Sequence, residues 1–345
     1  KIYTTKQNHG QSMPDFVNPY IPGQPVGNPK LFFGRRNVFA LIRQNLVRGR
    51  RVFVVTGARR MGKTSLLRQL PAYLSEGFLP VRLELTEDDA QGLDWLQRRL
   101  AEAMAEQVEP IPSDTVGRAE KDFDDFWVAA RKSLGDQCVV LLLDGSEALE
   151  AANPGLLDSL LSFLSTWRER DECLALVLTT TVALHETLVR EHPRLFGGAL
   201  THDLGPLSGE EASRLIAWPV DGVLTFDYGV PRRLIEITSG QPYYLQLLCF
   251  EVFNRCAQAG WVNLRDLDLV VEDLVGREIH EFEQVWEEST HREQAALAAL
   301  VSLKGARGVA TVREVRTALG RAGARASRDQ GAEALQMLVT RGILE

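Results

Sequence analysis

No stretch of this 345-residue chain approaches the roughly 20 consecutive apolar residues that cross a bilayer, so the sequence offers no membrane-spanning segment. Cysteine is scarce: Cys138, Cys173, Cys249 and Cys256 are the four. None has C-x-x-C spacing or clusters with histidine, which argues against a zinc site. All four lie in apolar-periodic or strand-like stretches, so they read as core residues of a reduced, cytosolic protein. A secretory signal is missing as well. Excess positive charge is lacking too. With 39 Lys and Arg against 46 Asp and Glu, the formal net charge is −7. That speaks against a surface dominated by nucleic-acid binding, although a local basic face stays open. The sequence also shows no internal repeat and no N-K-x-D string that would read guanine.

What is present is ordinary in bulk and specific in detail. Hydrophobic residues make up 45% and charged residues 25% of the chain, values typical of a globular protein, and the length suggests two or three domains. The chain opens on Lys1 and closes on Glu345, and both ends read as cut from something longer. Residues 1–30 are rich in Asn, Gln, Pro and Gly and predict an extended linker, placed either across a ligand's base or sugar or nowhere in particular.

Residues 51–65, RVFVVTGARRMGKTS, carry the strongest signal. A buried-strand run breaks into Gly57-x-x-x-x-Gly62-Lys63-Thr64 and then into a helical pattern from Ser65. This is a Walker A phosphate loop in its required context. Gly57 and Gly62 let the backbone wrap phosphates, while Arg60 and Ser65 complete the loop. Lys63 is expected to reach the β- and γ-phosphates, and the Thr64 hydroxyl to ligate Mg²⁺.

Further strands are predicted at 80–85, 138–143 and 174–178. Helices fall between them: one after 93, one over roughly 119–134, and one starting at Asn153-Pro154 with Pro at its first position. Strands that are apolar throughout and alternate with helices indicate an α/β fold with a parallel sheet buried on both faces. The run CVVLLL ends in Asp144, the Walker B pattern, whose carboxylate holds Mg²⁺ through water. Gly145 follows where an acid is common, leaving Glu147 as the nearest catalytic candidate. If 145–149 forms a loop, Glu147 can swing toward the γ-phosphate. If 146–150 is helical, it points elsewhere and hydrolysis is slow.

Thr180 and Thr181 end the next strand, where either could sense the γ-phosphate; a strand-end cap is the bland alternative. Arg35, Arg36, Arg59, Arg60 and Arg194 are candidates for stabilising charge in phosphoryl transfer, Arg194 across a subunit boundary, against a more ordinary role as surface or ion-paired side chains. Residues 208–289 read as mostly helical. Residues 290–345 read as three helices resembling a winged helix, with the wing due to begin at Ile343.

The pieces NPYIPGQPV with FFGRR, GARRMGKTSLL, LLLDGSEAL, LVLTTT, LGPLSGEEASRLI and ITSGQPYYLQLLC resemble the AAA+/STAND superfamily of P-loop ATPases, and most of all its STAND-type signalling members. The resemblance implies an ASCE-type sheet over residues 31–207, a helical lid over 208–289, and an incomplete winged-helix domain over 290–345. It implies ATP/ADP and Mg²⁺ as ligands, and Pro242 as the GxP element that contacts nucleotide from the lid. It further implies self-association and flanking sensor or effector domains. His291 does not match the family's phosphate-sensing histidine. Gly145 fits a slow ATPase acting as a switch. The alternatives are a DNA-associated AAA+ ATPase using Arg313, Arg316, Arg321, Arg325, Arg328 and Arg341, and a non-hydrolysing ATP-bound scaffold.

Overall fold

The computed structural model describes residues 16–108, 111, 113–277, 280–304, 310–321, 328–340 and 343–344. Five parallel strands form the central sheet: β1 (Val52–Thr56), β2 (Phe78–Glu84), β3 (Cys138–Asp144), β4 (Leu174–Thr180) and β5 (Leu200–Asp203), in the order β2-β3-β4-β1-β5. The burial of each strand explains its place. Every residue of β1, β3 and β4 is buried, so these occupy the middle. Part of β2 and all of β5 alternate between more and less covered positions, the mark of edge strands. The short LTHD of β5 carries too little apolar signal to be read as a strand from sequence. Strand β4 separates the strand of the phosphate loop from the strand of Asp144, as an ASCE sheet requires.

Around the sheet run α1 (Arg36–Val47), α2 (Lys63–Gln69), α3 (Leu93–Ala105), α4 (Ser113–Arg118), α5 (Phe123–Leu134), α6 (Ser146–Ala152), α7 (Leu156–Arg170), α8 (Val182–Glu191) and α9 (Pro193–Phe196). One face packs Val38, Phe39 and Ile42 of α1 and Leu66 and Leu67 of α2 against Phe53, Val55, Val140, Leu142 and Val177. The other packs α3, α5 and α7 against Val52, Val54, Leu141, Leu143, Leu176 and Leu178. Each fully buried Leu or Val in these layers contributes about 1.5–3 kcal/mol. Two helix starts differ from expectation. Asp122, whose side chain accepts from the Asp125 amide, sets the start of α5 at Phe123 rather than near 119. Asn153 ends α6 and Gly155 precedes α7, so Pro154 lies in the turn between them.

Beyond Leu204 a separate core begins. It is built by α10 (Gly209–Ala217), α11 (Val230–Thr238), α12 (Pro242–Cys256) and α13 (Leu264–Gly276). A short parallel pair, β6 (Thr225–Phe226) and β7 (Trp261–Val262), accompanies these helices. Helix α14 (His280–Glu287) leads on to α15 (His291–Lys304), α16 (Val312–Arg321) and α17 (Arg328–Thr340). These last three enclose Ala296, Ala299, Val315, Leu319, Leu335 and Leu338, with Ile343 and Leu344 packed against them. Among the described residues no strand follows α17. Arg325 and Arg341 lie outside the described residues.

The N-terminal segment, where described, is a strap and not a free linker. Tyr20 is buried in the core of α10–α13 with its hydroxyl donating to the Ile216 carbonyl. Asn18 Nδ2 donates to Phe250 O at 2.9 Å and Asn254 Oδ1 at 2.8 Å. Farther along, the Val26 and Gly27 carbonyls accept from Gln69 Nε2 on α2 at 2.8 and 3.0 Å. The cysteines also depart from a uniform core: Cys138, Cys249 and Cys256 are buried, but Cys173 is only half-buried. No described helix is long and apolar enough to cross a membrane.

Candidate functional site

The site forms where β1, β3 and β4 end. Strand β1 runs out at Thr56, and the chain turns through 57–62 before α2. Gly62 precedes that helix at φ +89°, a conformation only glycine adopts without cost. Lys63, the first residue of α2, turns its amine back over the loop. Nζ donates to Gly57 O at 2.7 Å and to Ala58 O at 3.2 Å, and lies 3.6 Å from Glu147 Oε1. Its side chain is 11% exposed. An amine held over a glycine loop by carbonyls and one carboxylate is placed to exchange those partners for phosphate oxygens.

Asp144 ends β3 and is 5% exposed. The Thr179 hydroxyl donates to its Oδ1, and Ser146 Oγ donates to the Thr179 carbonyl at 2.9 Å. The residue beside this carboxylate is Thr179, one position before the Thr180 and Thr181 expected to sense the γ-phosphate. Strand alternation could have found it. Thr179 shares its face with Ala175 and Val177, as Asp144 does with Val140 and Leu142, and all four pack on the side of α2. Thr181 caps α8, accepting from Leu184 N at 3.3 Å. Thr180 is fully buried, its Oγ1 has no hydrogen-bond partner among the described residues, and it shares with Leu178 the face opposite Thr179.

Glu147 corrects a second expectation. Residues 146–152 are helical, yet Glu147 in the first turn of α6 still reaches Lys63. Gly145 explains why no acid follows Asp144. Its φ is +79°, and a Cβ there would sit 2.1 Å from Leu85 O. The tight approach of the β2 exit to the β3 exit leaves room for hydrogen only.

Among the remaining loop residues, Ser65 is buried and its Oγ accepts from Val26 N at 3.0 Å, so its hydroxyl holds the strap. Arg60 stands over the Tyr243 ring at 3.8 Å, one residue beyond Pro242, the first residue of α12. Arg35 is a tie and not a free finger. Its guanidinium donates to Gly205 O and to Met61 O, the latter at 3.4 Å, and its amide donates to Glu211 Oε1 at 3.2 Å. Burial lowers the Arg35 guanidinium below its ordinary range, opposed by Glu211. Glu211 is shifted down: burial would raise it, but the Ser208 amide and hydroxyl and the Arg35 amide and charge prevail. Arg36, Arg59 and Arg194 are exposed, and His291 lies at the start of α15 with Nδ1 3.4 Å from Gln294 Oε1. Tyr20, Glu211 and Tyr243 fall within stretches that carry the resemblance without being singled out there, and Gln69 lies outside all of them.

These residues fit a nucleoside triphosphate with Mg²⁺. Thr64 and Asp144 offer hydroxyl and carboxylate oxygen, the donors that suit a small hard cation. The family model for novel STAND NTPase 1 matches residues 26–344. The chain belongs to this family. This novel STAND NTPase is a P-loop NTPase of the STAND/AAA+ type, and solved structures share its fold. A Walker-type ATPase of Pyrococcus abyssi aligns at TM-score 0.63 and 14% identity, covering 92% of both chains. The ORC2 protein of Aeropyrum pernix in ADPNP–ADP complexes aligns at 0.56 and 16%, covering 94% of this chain and 89% of that one. Drosophila ORC bound to DNA aligns at 0.51 and 12%, covering 97% and 88%. No curated protein matches in sequence.

Proposed function

We propose that this STAND NTPase binds ATP or ADP with Mg²⁺ at the loop, hydrolyses ATP slowly, and uses the bound nucleotide to set the position of its lid and its self-association. The carrying observation is the contact of Arg60 in the phosphate loop with Tyr243 at the start of the lid helix α12. A phosphate entering the loop competes for Arg60 and Lys63 directly, so the nucleotide acts on the lid through one side chain. A ligand drives such a change only through unequal affinity for the two states. Bound nucleotide would supply the reacting phosphates. Lys63 would orient them and Asp144 and Thr64 would hold the metal; the Thr179 hydroxyl fixes the Asp144 carboxylate, and Glu147, now beside Lys63, would be free to orient water if phosphate took the amine. The lack of an acid at 145 supports slow turnover.

The test is native mass and limited proteolysis with ADP, with ATP and without nucleotide, plus single-turnover hydrolysis. Nucleotide-dependent cleavage in 204–208 and a turnover reduced at least about tenfold by Glu147→Gln are expected. Identical mass and cleavage in all three conditions would sink the switch. A second reading rests on α16, which leaves Arg313, Arg316 and Arg321 exposed, and on the fold shared with an ORC protein bound to DNA. If it holds, duplex DNA binding appears at low salt and falls steeply as salt rises.

A further inference from the structure

At the end of β3 opposite Asp144, two cysteines sit side by side. Val139 of β3 is opposite Leu174 of β4 in parallel register, so Cys138 and Cys173 occupy the preceding rung. Alternation puts them on one face, leading into Val140 and Ala175 respectively, both in the core beneath α1 and α2. Neighbouring strands lie about 4.8 Å apart, within the roughly 4.4–6.8 Å of Cα separation that a disulfide spans. The two thiols share a hydrogen bond, and both are free.

Their surroundings differ in a way that assigns roles. Cys138 is 9% exposed, whereas Cys173 is half-buried and lies in the turn before β4. The Cys173 amide donates to Asp171 Oδ1 at 2.8 Å. Arg131 pairs with Asp171 at 3.1 Å, and Arg51 Nε donates to Glu172 O at 2.8 Å, so two guanidinium groups flank the thiols. Burial and the neighbouring Cys173 push the Cys138 thiol up to about 11, against the pull of Arg51 and Arg131. The other pair is unlike this one: Cys249 is buried in the lid core against Tyr20, and Cys256 is buried in the same core.

We propose that Cys138 and Cys173 form a redox-active dithiol that reacts with a low-molecular-weight disulfide and closes to an internal Cys138–Cys173 disulfide. The accessible Cys173, as thiolate, attacks one sulfur of the small disulfide. That S–S bond breaks and one small thiolate leaves. Cys138 then loses its proton to water, and its sulfur attacks Cys173 Sγ, expelling the second small thiolate. Two protein thiols are oxidised and one small disulfide is reduced to two thiols. Because the thiolate is the nucleophile, the raised Cys138 thiol slows this closing step relative to an unshifted one.

The test treats the full chain with oxidised glutathione, blocks remaining thiols with N-ethylmaleimide under denaturing conditions, and maps peptides by mass. Two cysteines should escape alkylation, a 138–173 cross-linked peptide should appear, and reduced glutathione should restore four alkylated sites. Cys138→Ser should hold glutathione on Cys173 as a lasting mixed disulfide. Cys173→Ser should take up glutathione at least about tenfold more slowly. Four alkylated cysteines after oxidation would overturn the proposal. So would a stable mixed disulfide on the unsubstituted chain, or a cross-link through Cys249 or Cys256. The peptide map of the unsubstituted chain decides the matter even if a variant fails to fold.

Discussion

At Gly145 a single hydrogen atom decides the chemistry next to Asp144. A left-handed backbone costs a residue with a side chain roughly 1–2 kcal/mol, and the contact of a Cβ with Leu85 O at 2.1 Å adds backbone displacement. Gly145→Ala is therefore expected to lower stability by about 2–4 kcal/mol, read as a shift of the denaturant midpoint at unchanged slope. An unchanged midpoint would show that the β2 and β3 exits separate freely. The Lys63–Glu147 pair belongs to the same scale. It holds the amine beside the loop carbonyls of Gly57 and Ala58 and brings the Glu147 carboxylate to the loop.

Between elements, two named contacts near the loop carry predictions. Arg60 and Tyr243 link the loop to α12. A cation–π contact at an exposed site is worth about 0.5–1 kcal/mol, so a double-mutant cycle of Arg60→Ala and Tyr243→Ala should return a coupling of that size without nucleotide. The coupling should fall toward zero with saturating ATP if phosphate takes Arg60. Glu211 links α10 to the segment before α1 through Ser208 and Arg35. Its folded value lies below the ordinary carboxylate value of 4.5. Its contribution is therefore present above that ordinary value and is lost as pH falls through the lower folded one. Glu211→Gln should flatten the fall of stability across this acid window. An identical pH profile for both proteins would remove Glu211 as the link.

For the whole molecule, the sheet, helices α10–α13 and the C-terminal helices each enclose a core, and the strap of residues 16–30 reaches both α12 and α2. A ligand bound only by the folded site stabilises it by about 2.7 kcal/mol at a hundredfold excess over its Kd. ATP with Mg²⁺ should raise the thermal midpoint of the unsubstituted chain. Lys63→Ala should melt at its own fixed temperature regardless of nucleotide. An equal rise in both proteins would place the nucleotide elsewhere.

The sequence alone determined the parts that depend on local order. A buried run, a glycine loop and a helix start are contiguous in residues 51–65, and CVVLLL ends in Asp144, so Lys63, Thr64 and Asp144 could be named from spacing. The continuous apolar runs that lead through β1, β3 and β4 likewise announced a sheet covered on both faces. Tertiary structure decided what depends on neighbours far apart in the chain. It chose Thr179 over Thr180 because β4 lies beside β3 and strand alternation sets which face meets Asp144. It brought Glu147 to Lys63 from inside a helix, excluded a side chain at 145 because Leu85 crosses there, and turned a Pro/Gly-rich segment into a strap through Tyr20 and Gln69. Each of these is a distance between elements, and no pattern within one element encodes it.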